Sequence, residues 1–314
     1  MAKDYKFKPA DFEKISTYPI KKRKSLVKID DFTDLEKYDA TGRFSDLLPS
    51  ILKADDLKDV VKAVRMANKN EKPVVMAMGA HVIKCGLSPI IIEMMERGII
   101  NALAFNGAGA VHDMEIAYHG ATSEDVASEI KSGRFGMVEE TGAHFNAALE
   151  NKSAVGMGEA LGSYIVKEKM LHANMSLLAR GWKLDIPVTI HVAIGSDITH
   201  VGPGVDGEAI GRATLNDFKL FTGVVSRLKG GVYFNIGSSV VLPEVFIKAL
   251  SAARNLGEDV SGFMTVNMDM IQSYRPRVNV VNRPVSDSGR GVSLTGHHEI
   301  MIPLLYHLLT SENL

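Results

Sequence analysis

Short apolar runs alternate with segments of helical spacing along most of this chain. Residues 57–68 carry apolar side chains at helical spacing and basic side chains on the opposite face, which predicts an amphipathic helix. Further helices are predicted over residues 87–97, from residue 240 to about residue 255, and over residues 304–309. Short apolar runs predict buried strands at residues 73–78, 102–105, 186–194, 232–236 and 262–267. This alternation predicts an α/β fold with a mainly parallel sheet and helices on both faces.

Glycine and small polar residues follow the predicted strands at four places. Ligands of open α/β sheets bind beyond the carboxyl ends of the strands, so these loops are the first candidates for a site. In the loop 79–86, Gly79 allows a close backbone approach, the free amides of the next helix suit a phosphate, and Lys84 adds a positive charge. His81 belongs to the same loop. A plain strand-to-helix turn is the structural alternative.

The loop 106–113 places Asn106, Gly107 and Gly109 directly after a strand. His112 and Asp113 are expected to open the following helix, with His112 facing a ligand and Asp113 either capping the helix or contacting a cofactor. The complete dinucleotide fingerprint of three spaced glycines is absent, so this loop by itself indicates a cofactor only weakly.

Two further loops complete the set. Gly237, Ser238 and Ser239 offer amides and hydroxyls at a helix start, which suits phosphate or ribose, and a simple serine cap explains them equally well. Asp197 ends the run 186–194 and its Gly-Ser turn, and it is a candidate substrate contact.

Composition narrows the class of protein. Lys and Arg number 36 against 37 Asp and Glu, so no basic surplus favours nucleic acid or anionic lipid. No apolar run is long enough to span a membrane, and a single cysteine fits a reducing cytoplasm. The basic run 21–24 reads as part of a solvated arm rather than a binding patch. We therefore expect a cytoplasmic protein with an N-terminal arm or lead-in segment over residues 1–40 and one α/β domain over residues 41–314.

The histidines do not form a recognised metal motif. His297, His298 and Glu299 are adjacent, and adjacent residues on a helix point in different directions. His191 and His200 have no recognised ligand spacing either, so no metal is expected. The nucleophile elbow and the Walker lysine loop are also absent from the sequence, which disfavours hydrolases and phosphate-transferring enzymes of those types.

Taken in order, these loops resemble the deoxyhypusine synthase family. The resemblance extends over roughly residues 40–310, and the matching segments are 73–86, 99–113, 186–197, 230–250, 261–269 and 295–305. It implies a Rossmann-like fold, a homotetramer with sites at subunit interfaces, and bound NAD. Family members move a hydride from spermidine to NAD and transfer an aminobutyl group, through an imine on a lysine, to a translation factor. By position, the NAD-facing segments would be 79–86, 106–109 with His112 and Asp113, 237–239 and 295–298.

The sequence departs from this family where the chemistry occurs. The segment that should carry the imine-forming lysine reads Asn282-Arg283-Pro284, and a guanidinium cannot form an imine. The segment that should hold the polyamine contains Arg275 and Arg277, which suit an anionic substrate better than a cation. We therefore expect that the chain does not make deoxyhypusine.

Three functions remain open. The first is an NAD- or nucleotide-binding enzyme that acts on another small, possibly anionic substrate, with His112, His297 or His298 as proton carriers and Arg275, Arg277 and Asp197 as substrate contacts. The second is a true deoxyhypusine or homospermidine synthase in which Lys84 forms the imine from a new position. The third is a non-catalytic nucleotide-binding protein. In each, the resemblance implies a homotetramer, and no nucleic acid or membrane partner is expected.

Overall fold

The fold is built on a central parallel sheet. The computed structural model describes residue 3 and residues 5–150 and 154–311. Six strands pair in the order β3-β2-β1-β4-β5-β6, and every pair is parallel. They are β1 (Val74–Met78), β2 (Ala102–Asn106), β3 (Val188–His191), β4 (Val232–Ile236), β5 (Met264–Asp269) and β6 (Arg290–Thr295). The α/β, Rossmann-like fold expected from the sequence is confirmed.

Helices surround this sheet. In chain order they are α1 (Leu35–Thr41), α2 (Phe44–Leu47), α3 (Leu52–Lys69), α4 (His81–Lys84), α5 (Ser88–Glu96), α6 (Gly107–His119), α7 (Val126–Ser132), α8 (Glu139–Leu149), α9 (Met157–Lys167), α10 (Leu177–Lys183), α11 (Gly207–Ser226), α12 (Val241–Asn255), α13 (Tyr274–Pro276) and α14 (His298–Ser311). A π-helical turn, Arg277–Asn282, follows α13. Within the described residues, no helix is both long enough and apolar enough to cross a membrane.

The core has two layers, one on each face of the sheet. Val74, Met76 and Met78 of β1 point into one layer, and the alternate residues Val75 and Ala77 point into the other. Successive side chains of a strand face opposite ways, so a strand buried on both faces must be apolar throughout. This explains why the central strands appear in the sequence as continuous apolar runs.

The strand order reverses between β1 and β4, because the chain builds β2 and β3 on one side of β1 and then returns to build β4 on the other. Connections leave the sheet in opposite directions at such a switch point, and a crevice forms at the carboxyl ends of the two strands. Gly79 directly follows β1 and Gly237 directly follows β4. Two of the loops singled out in the sequence therefore meet at the switch point.

Some predicted boundaries are wrong. The helix after β2 begins at Gly107, and His112 and Asp113 lie inside it rather than at its start. Strand β6 was not expected, because its alternating polar residues and its glycine hide it. The run 186–194 yields only the short strand β3, after which the chain turns at Gly195 with φ +85°.

The N-terminal segment has no buried residue in its three short 3₁₀ helices, Phe12–Lys14, Ile20–Lys22 and Ile29–Asp31. Large apolar side chains are exposed along it, among them Phe7, Tyr18 and Leu26. The division at residue 40 stays a prediction, and its outer limits, residues 1 and 314, lie outside the described residues.

Candidate functional site

The crevice at the switch point is lined by backbone. Gly79 N donates a hydrogen bond to the Ile236 carbonyl at 2.9 Å. A Cβ atom on Gly79 would lie 2.2 Å from the Gly237 carbonyl oxygen, so only glycine fits there. Gly237 itself has φ +62°, a conformation that other residues rarely adopt. These two glycines bring the ends of β1 and β4 together and leave a floor of backbone rather than side chains.

A cavity of about 240 Å³ opens beside this crevice, at the β2–β3 end of the sheet edge. Lys84, His112 and Asp197 line it together, although the sequence places them on three separate loops. Its wall also contains Glu115 and Glu124, neither of which the sequence analysis selected. Three carboxyl groups therefore face one lysine and one histidine around the cavity.

His112 belongs to a chain of hydrogen bonds. Its Nδ1 lies 2.5 Å from Thr122 Oγ1, and the Thr122 hydroxyl donates in turn to a carboxylate oxygen of Glu115. Thr141 donates to the other oxygen of Glu115 at 3.0 Å. Burial disfavours the ionised form of Glu115, but hydrogen bonds from His112, Thr122 and Thr141 outweigh burial and lower its pKa.

This chain of bonds fixes the histidine tautomer. Since Thr122 uses its one proton toward Glu115, it can only accept from His112, which places a proton on Nδ1. The neutral ring then carries its lone pair on Nε2. His112 is thereby prepared to accept a proton at Nε2, with Glu115 available to stabilise the resulting positive charge through Thr122.

The side chain of Asp197 lies at the N-terminus of α6. Its Oδ2 accepts from Ala193 N at 3.1 Å, and its carboxylate also accepts from the Ala108 amide. Burial raises its pKa, partly offset by these hydrogen bonds. A Cβ atom on Gly107 would lie 2.1 Å from Asp197 Oδ2, so glycine is needed to admit the carboxylate. Asn106 Oδ1 accepts from Gly109 N at 2.9 Å.

Two of the first amides of α6, Ala108 N and Gly109 N, are thus already bonded within the chain, at the loop where the sequence indicated a cofactor only weakly. The N-terminus of α12 offers a better fit. Its N-cap residue, Val240, makes no side-chain cap, and Ser239 beside it is exposed. Ser238 accepts from Leu242 N at 3.2 Å, which matches the serine-cap alternative for that residue. A phosphate at the exposed amides beyond Ser238 would meet a fifteen-residue helix end-on.

Asp113 has a different partner from the one expected. It is fully buried, and its carboxylate accepts from Ser176 Oγ, Leu177 N and Leu178 N at 2.5–3.2 Å. The expectation that Asp113 caps its own helix is therefore wrong, because it lies two turns inside α6 and caps α10. Burial raises its pKa to about 6, against the pull of these hydrogen bonds. Asp113 is therefore a structural residue, and it does not line the cavity.

The remaining histidines lie at the other wall of the crevice. His298 is only 1% exposed, and its ring packs edge-on against His81, with the ring centroids 5.6 Å apart. A Cβ atom on Gly237 would lie 2.7 Å from His298 Cε1, so this ring forms one wall of the switch point. His297 is exposed, with Nδ1 3.8 Å from Glu299 Oε1.

The arginines expected to hold an anion are not among the residues that line the cavity. Arg275 Nε lies 3.3 Å from Glu244 Oε1, so its charge is already paired, and Arg277 is exposed at the start of the π-helical turn. Arg254, at the end of α12, donates to the carbonyls of Val260 and Pro284. The segment 282–284 therefore lies at the amino ends of the strands, away from the candidate site.

Buried amides support the Ser238 loop. Asn235 Nδ2 donates to the Ser238 carbonyl at 2.8 Å and to Asn267 Oδ1 at 2.7 Å, and Asn267 donates onward to Gln272. The sequence analysis missed these residues, although an asparagine inside an apolar strand is a usable signal, because a buried amide needs partners. Glu115, Thr122 and Glu124 gave no comparable signal, since polar residues on helices and loops are common.

Comparison with known proteins gives a fold relationship. No family model matches the chain, and no curated protein matches it. A LOR/SDH protein of Methanococcus maripaludis S2 is similar in structure at a TM-score of 0.50 and 17% identity, over 81% of this chain and 69% of that one. AgrE, solved with ornithine and NAD⁺, gives a TM-score of 0.54 and 14% identity over 81% of this chain. This chain covers only 32% of AgrE.

A candidate deoxyhypusine synthase from Entamoeba histolytica is also similar, with a TM-score of 0.49 and 10% identity over 86% of this chain and 94% of that one. Identities this low do not place the chain in any of these families. What they support is the architecture: a Rossmann-like α/β fold whose neighbours include a protein solved with NAD⁺.

Proposed function

We propose that this chain is an enzyme that binds NAD or a related nucleotide across the β1–β4 crevice and acts on a small substrate in the adjoining cavity. The observation that carries the proposal is the convergence of Lys84, His112 and Asp197 on one cavity beside the switch point. Three side chains capable of charge or proton chemistry, brought together from separate segments of the chain, are typical of an active site rather than of a packing core.

The nucleotide fits the crevice better than it fits α6. No side chain projects from Gly79 or Gly237, so a ligand can lie directly against the backbone there. Ser238 accepts from Leu242 N, but the N-cap residue of α12, Val240, makes no side-chain cap, so backbone amides near Ser239 can bind a phosphate. NAD, when bound, would supply a hydride acceptor. Lys84 borders the cavity, where its charge can contact a phosphate or a substrate.

His112 is the proposed proton acceptor. Its Nδ1–H is committed to Thr122, so a proton taken from substrate would go to Nε2, and the charge formed would be stabilised by Glu115 through Thr122. The surplus of carboxyl groups around the cavity favours an amine-bearing substrate. Pairing of Arg275 with Glu244 weakens the expectation of an anionic one.

Thermal stability with added nucleotide tests the cofactor site. NAD should raise the melting temperature of the parent protein. The same measurement with NADP and with adenine nucleotides shows which nucleotide stabilises the protein most. Ser239→Asp places a negative charge at the N-terminus of α12, which repels a phosphate while it favours the helix dipole. The matched control, Ser286→Asp, is exposed and lies beyond the π-helical turn.

We expect NAD to stabilise the parent and Ser286→Asp, but not Ser239→Asp. Equal stabilisation of all three proteins by NAD would show that the nucleotide does not bind at the N-terminus of α12. If no nucleotide stabilised the parent, both the enzyme and the non-catalytic nucleotide-binding protein would be excluded, and a scaffold function without a nucleotide would remain.

A second function is favoured by one observation: Lys84 lines the same cavity as Asp197 and His112. A neutral lysine amine there is a candidate for the imine step of aminobutyl transfer. Lys84→Arg keeps the charge but cannot form an imine, whereas Lys84→Ala removes both. The protein is incubated with NAD, spermidine and the precursor translation factor, and the modified lysine is sought by mass spectrometry. We expect no modification; modification by the parent that both variants abolish would establish the second function.

A homotetramer is proposed from the family resemblance, and the N-terminal segment supports self-association. Its exposed apolar side chains, among them Phe7, Tyr18 and Leu26, are more numerous than a solvated arm needs. Light scattering at micromolar concentration should report four copies, and removal of residues 1–34 should lower that number. A monomeric parent would overturn this proposal.

A further inference from the structure

Three metal-binding side chains meet at the rim of the crevice. His81 and Cys85 lie one helical turn apart, at the start and the C-cap of α4, and Glu299 lies in the first turn of α14. One ligand atom from each lies within 4.8 Å of the others. Cys85 Sγ is 3.7 Å from Glu299 Oε2. A tetrahedral zinc site with Zn–S and Zn–O bonds of about 2.3 and 2.1 Å separates sulfur and oxygen by about 3.6 Å.

A second, independent observation points to the same place. His298 is 1% exposed, and the Met268 carbonyl is within reach of one ring nitrogen, which leaves the other ring nitrogen without a hydrogen-bond partner among the described residues. A buried imidazole is normally paired, because it loses water on burial. Its ring faces His81 at a centroid distance of 5.6 Å. Two imidazoles on one tetrahedral zinc place their centroids about 5 Å apart, so the separation is close to that of a shared ion.

We propose that the chain binds one divalent transition-metal ion of the zinc class, with His81, Cys85 and Glu299 as ligands and His298 at the fourth position. One thiolate, two imidazoles and one carboxylate suit Zn²⁺ or Co²⁺. Mg²⁺ and Ca²⁺ prefer sets of oxygen ligands and are not expected.

The site has an entry path, since His81 and Glu299 are exposed while His298 closes its inner side. His298 also packs against Gly237, so the ion would lie at the wall of the proposed nucleotide crevice. The metal site does not depend on the nucleotide, and it is tested without one.

Cobalt provides a direct test, because Cys85 is the one cysteine in the chain. The purified protein is stripped with a chelator, desalted and titrated with Co²⁺ alone. We expect one equivalent to produce the visible bands of four-coordinate cobalt together with a thiolate-to-cobalt charge-transfer band. Only Cys85 can give the charge-transfer band. Zn²⁺ should displace the cobalt at one equivalent, whereas Mg²⁺ should not.

Variants then assign the ligands. Cys85→Ser should abolish the charge-transfer band, and His81→Ala and Glu299→Gln should each weaken Zn²⁺ binding at least about tenfold in competition with a chromophoric chelator. His298→Gln should change the visible bands from four-coordinate toward higher coordination while the thiolate band remains. His119→Gln removes an exposed histidine on α6 and serves as the matched control, with unchanged affinity.

The proposal is overturned if Co²⁺ produces no charge-transfer band, or if Cys85→Ser and Glu299→Gln bind Zn²⁺ as tightly as His119→Gln. An unchanged cobalt spectrum in His298→Gln would remove His298 from the ligand set. Circular dichroism of each variant checks that the fold is retained.

Discussion

The two halves of the sheet edge differ in the kind of polar group that they bury. Around β1, β2 and β3 the buried groups are titratable: Asp113, His191, Asp197 and Asp217. Around β4 and β5 a hydrogen-bonded row of neutral amides, Asn235, Asn267 and Gln272, supports the Ser238 loop. On the first half, burial raises the pKa of Asp113 to about 6 and that of Asp217 to about 7, which brings both carboxyls into the physiological range, whereas the amide row of the second half carries no charge.

This difference separates two tasks. Neutral amides keep their hydrogen bonds at any ordinary pH, so they suit a rigid support for a binding loop. Titratable groups beside a cavity can exchange protons with a substrate, at the cost of a stability that depends on pH. Under the proposed function, binding falls to the β4–β5 half and proton chemistry to the β2–β3 half, where Asp197 lines the cavity, and the predictions below test this division.

The largest effect is expected at Gly79, where the two halves meet. Alanine would place Cβ 2.2 Å from the Gly237 carbonyl, and backbone on both sides would have to move. We expect Gly79→Ala to lower the free energy of unfolding by about 3 kcal/mol in urea denaturation. The control is Gly142→Ala on α8, which has no atom within 4 Å of the new Cβ and should be neutral or slightly stabilising. Equal stability of the two variants would mean that the strand ends are not in contact.

A smaller effect is expected from His191 on β3. Burial lowers its pKa from 6.5 to about 4. Above pH 6.5 the neutral His191 ring does not lower the stability of the folded protein. As the pH falls from 6.5 toward 4, the unfolded chain takes up the proton first, and the free energy of unfolding decreases. The loss between pH 7 and pH 5 is about 2 kcal/mol.

His191→Gln should remove this loss, so on going from pH 7 to pH 5 the unfolding free energy of the variant should rise by about 2 kcal/mol relative to that of the parent. Burial raises the pKa of Asp113 to about 6 and that of Asp217 to about 7, and both groups give the opposite slope. The difference between parent and variant therefore isolates His191. Parallel pH profiles would contradict the assignment.

The next prediction concerns Gly107, whose neighbour is a side chain, whereas the neighbour of Gly79 is backbone. Gly107→Ala would meet the Asp197 carboxylate and displace it from the α6 amides, at a cost of about 1–2 kcal/mol. Unlike the clash at Gly79, this one is relieved when the side chain is removed. We expect the double variant Gly107→Ala, Asp197→Ala to be no less stable than Asp197→Ala alone. Additive losses in this double-mutant cycle would show that Asp197 does not occupy the helix end.

The smallest effect is expected on the β4–β5 half at Arg275. Its ion pair with Glu244 is half exposed, and such pairs contribute less than about 0.5 kcal/mol to stability. Arg275→Ala should leave both unfolding and NAD binding nearly unchanged. A large loss of affinity for an anionic ligand would restore the substrate-holding function inferred from the sequence, and it would move the chemistry to the other half of the edge.

The pattern of apolar residues along the sequence was sufficient to predict the central strands of the sheet. The strands β1, β2 and β4 are recoverable from the sequence almost to the residue, because strands buried on both faces are continuous apolar runs closed by glycine. Strand β6 and the start of α6 were not recoverable. Arg290–Thr295 has a mixed pattern that takes its strand form from pairing with β5, and Gly107 begins a helix only because Asn106 and Asp197 satisfy its first amides.

Periodicity and residue type were enough to predict an α/β protein with glycine-bearing loops after its strands, and to select Lys84, His112 and Asp197 as candidate site residues. These are consequences of periodicity and residue type, which are local. Long-range packing, by contrast, brings those three residues to one cavity, places Asp113 at the N-terminus of α10, and joins Cys85 to Glu299 across 214 positions of sequence. Each of these depends on which loops the strand order brings to one edge, and strand order is set by packing of the whole sheet rather than by any single segment.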